Sequence, residues 1–164
     1  MKTSFETAFD RIVEVVMFEN WLRFYFIAEK GDKLIISLPE KAVERIKTDY
    51  PTLFGLAEML DGREIDHQSS VEAVCMFVAG RLETASPEHT IKEVFDSARF
   101  HMELNLFGMW VQNHEDQLDE AFIPFARWQQ LYAEWRSTPK VQEQIAGIEE
   151  QAARVAGNAT ETTQ

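Results

Sequence analysis

Apolar residues recur every three or four positions through nearly the whole of this 164-residue chain, and no segment sustains the two-residue alternation of a half-buried strand. The first stripe, Phe5, Ala8, Phe9, Ile12 and Val16, follows Ser4, a helix-capping residue type, and predicts a helix from Ser4 to about Glu29, ended by Gly31. Leu38-Pro39 opens a second helix, with proline in its first turn, running to about Lys47. Thr52 caps a short helix to Leu60. Val71, Val74, Cys75, Val78 and Leu82 define an amphipathic helix entered through a capping box of Ser69 and Glu72. Ser86-Pro87-Glu88 starts a long helix to about Asn113, the pattern resumes from Pro124 through Trp135, and Thr138-Pro139 starts a last helix to about Val155. Lys33 to Ser37 is apolar enough for a strand, but with no partner run in sequence it reads as an extended connector. The expected architecture is therefore all-α: a single-domain helical bundle of about six to seven helices over residues 1–155, with a flexible polar tail at 156–164.

The segment from Pro87 to Asn113 has the most distinctive pattern. Two apolar stripes, one with Val94, Ala98, Met102, Leu106 and Met109, the other with Phe100, Leu104, Phe107 and Val111, flank a small or polar stripe of Ser97, His101, Asn105, Gly108 and Gln112. Only Lys92, Asp96, Arg99 and Glu103 are left for solvent, so this is the expected central buried helix. His101 and Asn105 either line a ligand cavity, with Trp110 on the same helix, or form a buried, satisfied hydrogen-bonded pair. On the first helix, Glu19 and Arg23 are spaced for an ion pair where the apolar stripe turns polar and its flanks turn aromatic: Phe18, Trp21, Phe24, Tyr25 and Phe26. Either the core shifts around the helix at that point or a charge pair lies against the core; the cost of burying charge favours the shift.

Composition excludes several function classes. Twenty-eight Asp and Glu against 16 Lys and Arg give a formal charge of −12, which phosphate repels, so nucleic acid is not an expected partner. The richest apolar stretch, Ile12 to Ile27, is broken by Glu14, Glu19, Asn20 and Arg23, so no membrane span is expected. No signal peptide is visible at the N-terminus, and the reducing cytoplasm is the expected location. The single cysteine, Cys75, lies on an apolar stripe and reads as a core residue rather than a nucleophile. Glu64 and His67 have the spacing of half a di-iron site, but no second Glu-x-x-His occurs, so neither a metal nor a cofactor is expected and no catalytic signature is present.

The segment Glu64-Ile65-Asp66-His67 lies between two helical patterns, after the turn signal Asp61-Gly62 and before the capping box. Its reading is open between a plain polar connector and a ligand-facing loop that sets a carboxylate and an imidazole at a helix mouth.

Four places in the chain resemble the TorD/DmsD/NarJ family of cytoplasmic chaperones for molybdenum-containing redox enzymes. Arg23-Phe24-Tyr25 resembles the family's arginine followed by aromatics, Tyr50-Pro51-Thr52-Leu53-Phe54 its Tyr-x-x-Leu-Phe, Glu64-Ile65-Asp66-His67 its Glu-Pro-x-Asp-His hinge, and Trp110, Leu118 and Pro124-Phe125 its tryptophan helix and later Pro-Phe segment. Ile65 stands where the family has proline, and Leu106 where it has histidine; the stretch from Phe54 to Glu64 is short, as in a divergent, shortened member. The resemblance implies a non-enzymatic maturation chaperone that binds the twin-arginine leader peptide and immature catalytic subunit of a molybdoenzyme, with Asp66 and His67 contacting the peptide and Glu64 supporting the loop. The alternative is an all-helical interaction or regulatory adaptor, such as a phage-encoded antagonist, with no chaperone role.

Overall fold

The periodicity resolves into helices almost throughout. The structure, a computed structural model, describes residues 4–82 and 88–162. Among these, nine helices and one two-stranded hairpin follow in the order α1 (Ser4–Tyr25), β1 (Ile27–Lys30), β2 (Lys33–Ile36), α2 (Glu40–Asp49), α3 (Phe54–Leu60), α4 (His67–Leu82), α5 (Glu88–Asp96), α6 (Ala98–Asn113), α7 (Glu115–Glu120), α8 (Phe125–Arg136) and α9 (Pro139–Thr162). The chain separates into two compact units, Met1–Phe125 and Ala126–Gln164.

In the first unit the helix with the most buried face is α1. Ala8, Phe9, Ile12, Val15, Phe18, Trp21 and Leu22 are buried along it, and it packs against α3, α4, α5 and α6. The expected long central helix is instead broken at Ser97, whose extended backbone (φ −73°, ψ 144°) separates α5 from α6. The Ser97 hydroxyl accepts from the Phe100 N–H at 3.1 Å and donates to the Val94 carbonyl at 2.8 Å, so one side chain ends one helix and caps the next. This break resets the helical phase. On α6 the buried positions are Phe100, Glu103, Leu106, Phe107 and Trp110, while His101, Asn105, Gly108 and Gln112 are exposed. The polar stripe thus faces solvent, and Glu103, expected outside, is inside.

The expected end of the first helix near Glu29 is also corrected. The last helical bond runs from the Phe26 N–H to the Leu22 carbonyl at 2.9 Å, after which the chain turns extended. β1 and β2 pair antiparallel with Ile27 opposite Ile36 and Lys30 opposite Lys33, so the connector at Lys33–Ser37 is a strand whose partner lay inside the predicted helix. Gly31 is not a helix stop but the first residue of the two-residue turn Gly31-Asp32; its φ of +67°, with no positive φ at Asp32, is the type II′ pattern that glycine permits. The Asp61-Gly62 turn stands as read. Asp61 (φ −60°, ψ 123°) and Gly62 (φ +82°) form a type II turn closed by the Arg63 N–H on the Leu60 carbonyl at 2.9 Å.

α4 begins at His67, two residues before Ser69, so Ser69 lies within the helix rather than capping it, and Glu72 accepts instead from Gln68 Nε2 at 3.3 Å. Among the described side chains of α4, Ala73, Val74, Phe77 and Val78 are buried; Cys75 is exposed, one helical position off the buried face. Partial burial of its sulfur pushes the thiol pKa up, which keeps it protonated at neutral pH. The Ser86-Pro87 start falls outside the described residues.

In the second unit, Thr138 starts α9 as its pattern predicts. The Gln142 N–H donates to the Thr138 carbonyl at 3.0 Å, and Thr138 Oγ1 donates back to the Trp135 carbonyl at 2.7 Å. The helical backbone runs to Thr162, through most of the stretch read as a tail. Among the described side chains of this unit, Trp128, Tyr132, Val141 and Ile145 are buried.

Replacing Ser97 with Ala removes the cap between α5 and α6 and is expected to lower the unfolding free energy by about 1 kcal/mol in urea titrations. A variant as stable as the parent would show that the break is held by packing alone.

Candidate functional site: an aromatic groove

The aromatic flanks of α1 supply more rings than one core face can bury, and the surplus gathers at the C-terminal end of that helix. Trp21 has the rings of Phe18, Tyr25, Phe26, Tyr50, Phe122 and Phe125 within 5.5–6.3 Å of its own, several edge to face. Two hydrogen bonds fasten the chain after α6 to this cluster: Trp21 Nε1 donates to the Ile123 carbonyl at 2.7 Å, and Tyr25 Oη donates to the Leu118 carbonyl at 2.9 Å. They hold Phe122 over Tyr25, Trp21 and Phe26 at centroid distances of 5.0, 5.8 and 5.9 Å. Phe122 nevertheless stays 48% exposed, an unusual state for a large ring with so many neighbours.

Opposite these rings stands α2, entered through Pro39 and left through Tyr50. Between them is a cavity of about 990 Å³, open to solvent and within the size range of ligand pockets. Its apolar side includes Trp21, Phe26, Ile46, Tyr50, Phe122 and Pro124. Its charged side is Lys41 and Arg45, one turn apart on α2, with Glu44 and Asp49. The four charges cancel, so the groove is locally neutral in a chain of formal charge −12.

Beside the cluster, Glu19 is buried and Arg23 is about a third exposed, with Arg23 Nε 3.7 Å from Glu19 Oε1. Asn20 links them, donating from Nδ2 to Glu19 Oε2 at 3.2 Å and to the Val16 carbonyl at 2.9 Å, and accepting from Arg23 Nη2 at 2.7 Å. The charge pair therefore does lie against the core, contrary to the expected shift of the core around the helix. Asn20 meets part of the polar demand that would otherwise disfavour it.

The Glu64–His67 segment is more constrained than a free loop. Glu64 forms a β-bridge with Ile35, the Ile65 N–H donates to the Leu34 carbonyl at 2.8 Å, and the Asp66 N–H donates to the Glu64 carbonyl at 3.2 Å. The Glu64 carboxylate lies 3.8 Å from Lys33 Nζ, a pair half-exposed on both sides and worth little energetically. Asp66 is exposed; the His67 side chain lies outside the described residues. His101 and Asn105 point to solvent on α6, while Trp110 is buried with its ring 5.7 Å from that of Phe107. None of Glu64, Asp66, His101, Asn105 or Trp110 lines the groove. Among the described residues no three of His, Cys, Asp and Glu come together as a metal site, and no described helix is long and apolar enough to cross a membrane.

The sequence reading missed Phe122 and the α2 wall. Phe122 carried one usable signal: it is a lone aromatic stranded between the acidic stretch and Pro124, with no helical stripe to join.

Replacing Trp21 with Phe keeps a ring in the cluster but removes the donor to Ile123. The expected cost is about 1 kcal/mol in urea unfolding, whereas Trp21→Ala should cost roughly 3–5 kcal/mol. Equal losses from the two would mean that the hydrogen bond, and not the ring, holds the segment.

Comparison with protein-family models, curated proteins and solved structures finds no match to this chain.

Proposed function

We propose that this protein acts by binding rather than catalysis, taking an extended apolar segment of another polypeptide into the aromatic groove. The observation that carries the reading is Phe122, exposed above three rings at the mouth of a cavity of about 990 Å³. Aromatic side chains are enriched at the cores of protein interfaces, and a concave, largely apolar surface is where a bound segment can be buried.

The resemblance to maturation chaperones supplies the class of ligand: the immature catalytic subunit of a molybdoenzyme and its twin-arginine leader. An apolar stretch of the client fits the groove. The paired arginines call for carboxylates, and the exposed Glu64 and Asp66 offer them just before His67, the first residue of α4. The direct test titrates the protein with a synthetic peptide of two adjacent arginines followed by an apolar stretch of leader length. Phe122→Ala removes ring contacts to Tyr25, Trp21 and Phe26 and should cost roughly 1–3 kcal/mol of stability, and at temperatures where the variant is fully folded it should still weaken this peptide. Binding of a folded partner with no affinity for such peptides would instead identify an adaptor.

Two further outcomes are expected. Asp66→Ala with His67→Ala should weaken the arginine-bearing peptide by roughly 1.5–3 kcal/mol, the scale of a hydrogen bond to a charged group, and, because Asp66 immediately precedes α4, should also cost about 1 kcal/mol of stability. An unchanged affinity would reduce the loop to a connector. Raising salt should weaken the same peptide, because exposed carboxylates attract it through a screened field. An affinity indifferent to salt would assign the whole interaction to the apolar groove.

A further inference from the structure

The hairpin has one edge closed and one open. On the closed side the Ile36 N–H donates to the Arg63 carbonyl at 3.0 Å, the Gly62 N–H donates to the Ile36 carbonyl at 2.7 Å, and the Ile65 N–H donates to the Leu34 carbonyl at 2.8 Å. Leu34 and Ile36 therefore turn their backbone polar groups away from β1. In an antiparallel ladder the residues opposite them do the same on the other side, so Glu29 and Ile27 direct their N–H and C=O groups outward from β1. Among the described residues no backbone group bonds to Ile27 or Glu29 from that side.

Natural edges are protected by short strands, charge, proline, bulges or a covering element, and β1 has four residues. Here Glu29, Lys30, Asp32 and Lys33 crowd the hairpin tip, but the half of β1 beside the groove is Ile27-Ala28, uncharged and following directly on Phe26. Ile27 is 50% exposed and, with Leu34 at 46%, lies on one face of the hairpin. Phe26 lines the groove, and its ring lies 5.9 Å from that of Phe122. The open edge and the groove are thus continuous through one residue. The balanced charges of Lys41, Arg45, Glu44 and Asp49 match a ligand that is uncharged along its anchored stretch.

We propose that β1 is an acceptor edge. An extended, uncharged stretch of a partner polypeptide, apolar at alternate positions, adds as a strand beside Ile27–Glu29 and places one apolar side chain in the groove beside the paired rings of Phe26 and Phe122. This rests on the groove being a peptide site and adds the backbone register by which the peptide is held.

The test uses the full chain and a blocked peptide of alternating valine and threonine with one phenylalanine, together with a twin N-methylated at every second amide. Amide hydrogen exchange should slow at Ile27 and Glu29 on adding the peptide, and the methylated twin should bind about tenfold more weakly, the loss of one or two backbone hydrogen bonds. Glu29→Pro should weaken the parent peptide to a similar degree, because it deletes an outward N–H that the hairpin ladder does not use. Binding with unchanged exchange at both amides, and equal affinity for the twin, overturns the edge proposal while a loss in Phe122→Ala keeps the groove. No binding of either peptide overturns the proposal, and the groove reading is then judged on the arginine-bearing peptide. Protection of the same amides without peptide, rising with protein concentration, gives the edge to a second copy of the chain and overturns the partner reading.

Discussion

The hydrogen bond from Trp21 Nε1 to the Ile123 carbonyl joins residues 102 positions apart and fixes the shape of everything at the end of α1. Trp21 is 3% exposed, so an unsatisfied indole N–H there would carry the full cost of desolvation, about 1–3 kcal/mol. Satisfying it brings in the segment that follows α7, and with that segment come Phe122 and Pro124. Each aromatic pair around Trp21 adds roughly 0.5–1.5 kcal/mol beyond burial, which outweighs the hydrogen bond in sum but specifies position less sharply. The rings supply adhesion, and the indole and the Tyr25 hydroxyl supply register.

That division explains which features could be read from residue order. Pro39, Thr138-Pro139 and Asp61-Gly62 act within a few residues of themselves, and all three mark boundaries where they were read. β1 was illegible because Ala28, Glu29 and Lys30 are good helix formers and only their pairing with Lys33–Ile36 makes them a strand. The groove has the same character. The surplus of aromatics on α1 was visible, but their convergence with α2 and Phe122 depends on contacts between distant segments. Glu64 to Asp66 lie between α3 and α4 as read, but His67 is the first residue of α4 rather than part of the connector, and the attachment of the segment to β2 is a backbone property that no side-chain motif announces.

The two misassigned faces share a cause. Helical phase was carried through Ser97, where the chain breaks, so α6 was rotated and Glu103 was placed outside and His101 and Asn105 inside. On α1 the phase was right, but charge was assumed to avoid the core. Glu19 is tolerated there because Asn20 and Arg23 lie within reach on the same helix, so its partners come with the local geometry and need no distant element. A buried charge with i+1 and i+4 partners is less improbable than burial rules for isolated charges suggest.

The hairpin then separates two chemistries that the composition blends into a single figure of −12. Its closed edge carries the exposed carboxylates of Glu64 and Asp66; its open edge leads through Phe26 into a groove of no net charge. One strand pair is narrow, with neighbouring strands about 5 Å apart, so a single peptide with a charged head and an apolar extension is long enough to reach both. Such a ligand would feel long-range attraction only at its head, while its residence would depend on the rings. Acidity would then govern how fast a partner arrives, and Phe122 how long it stays.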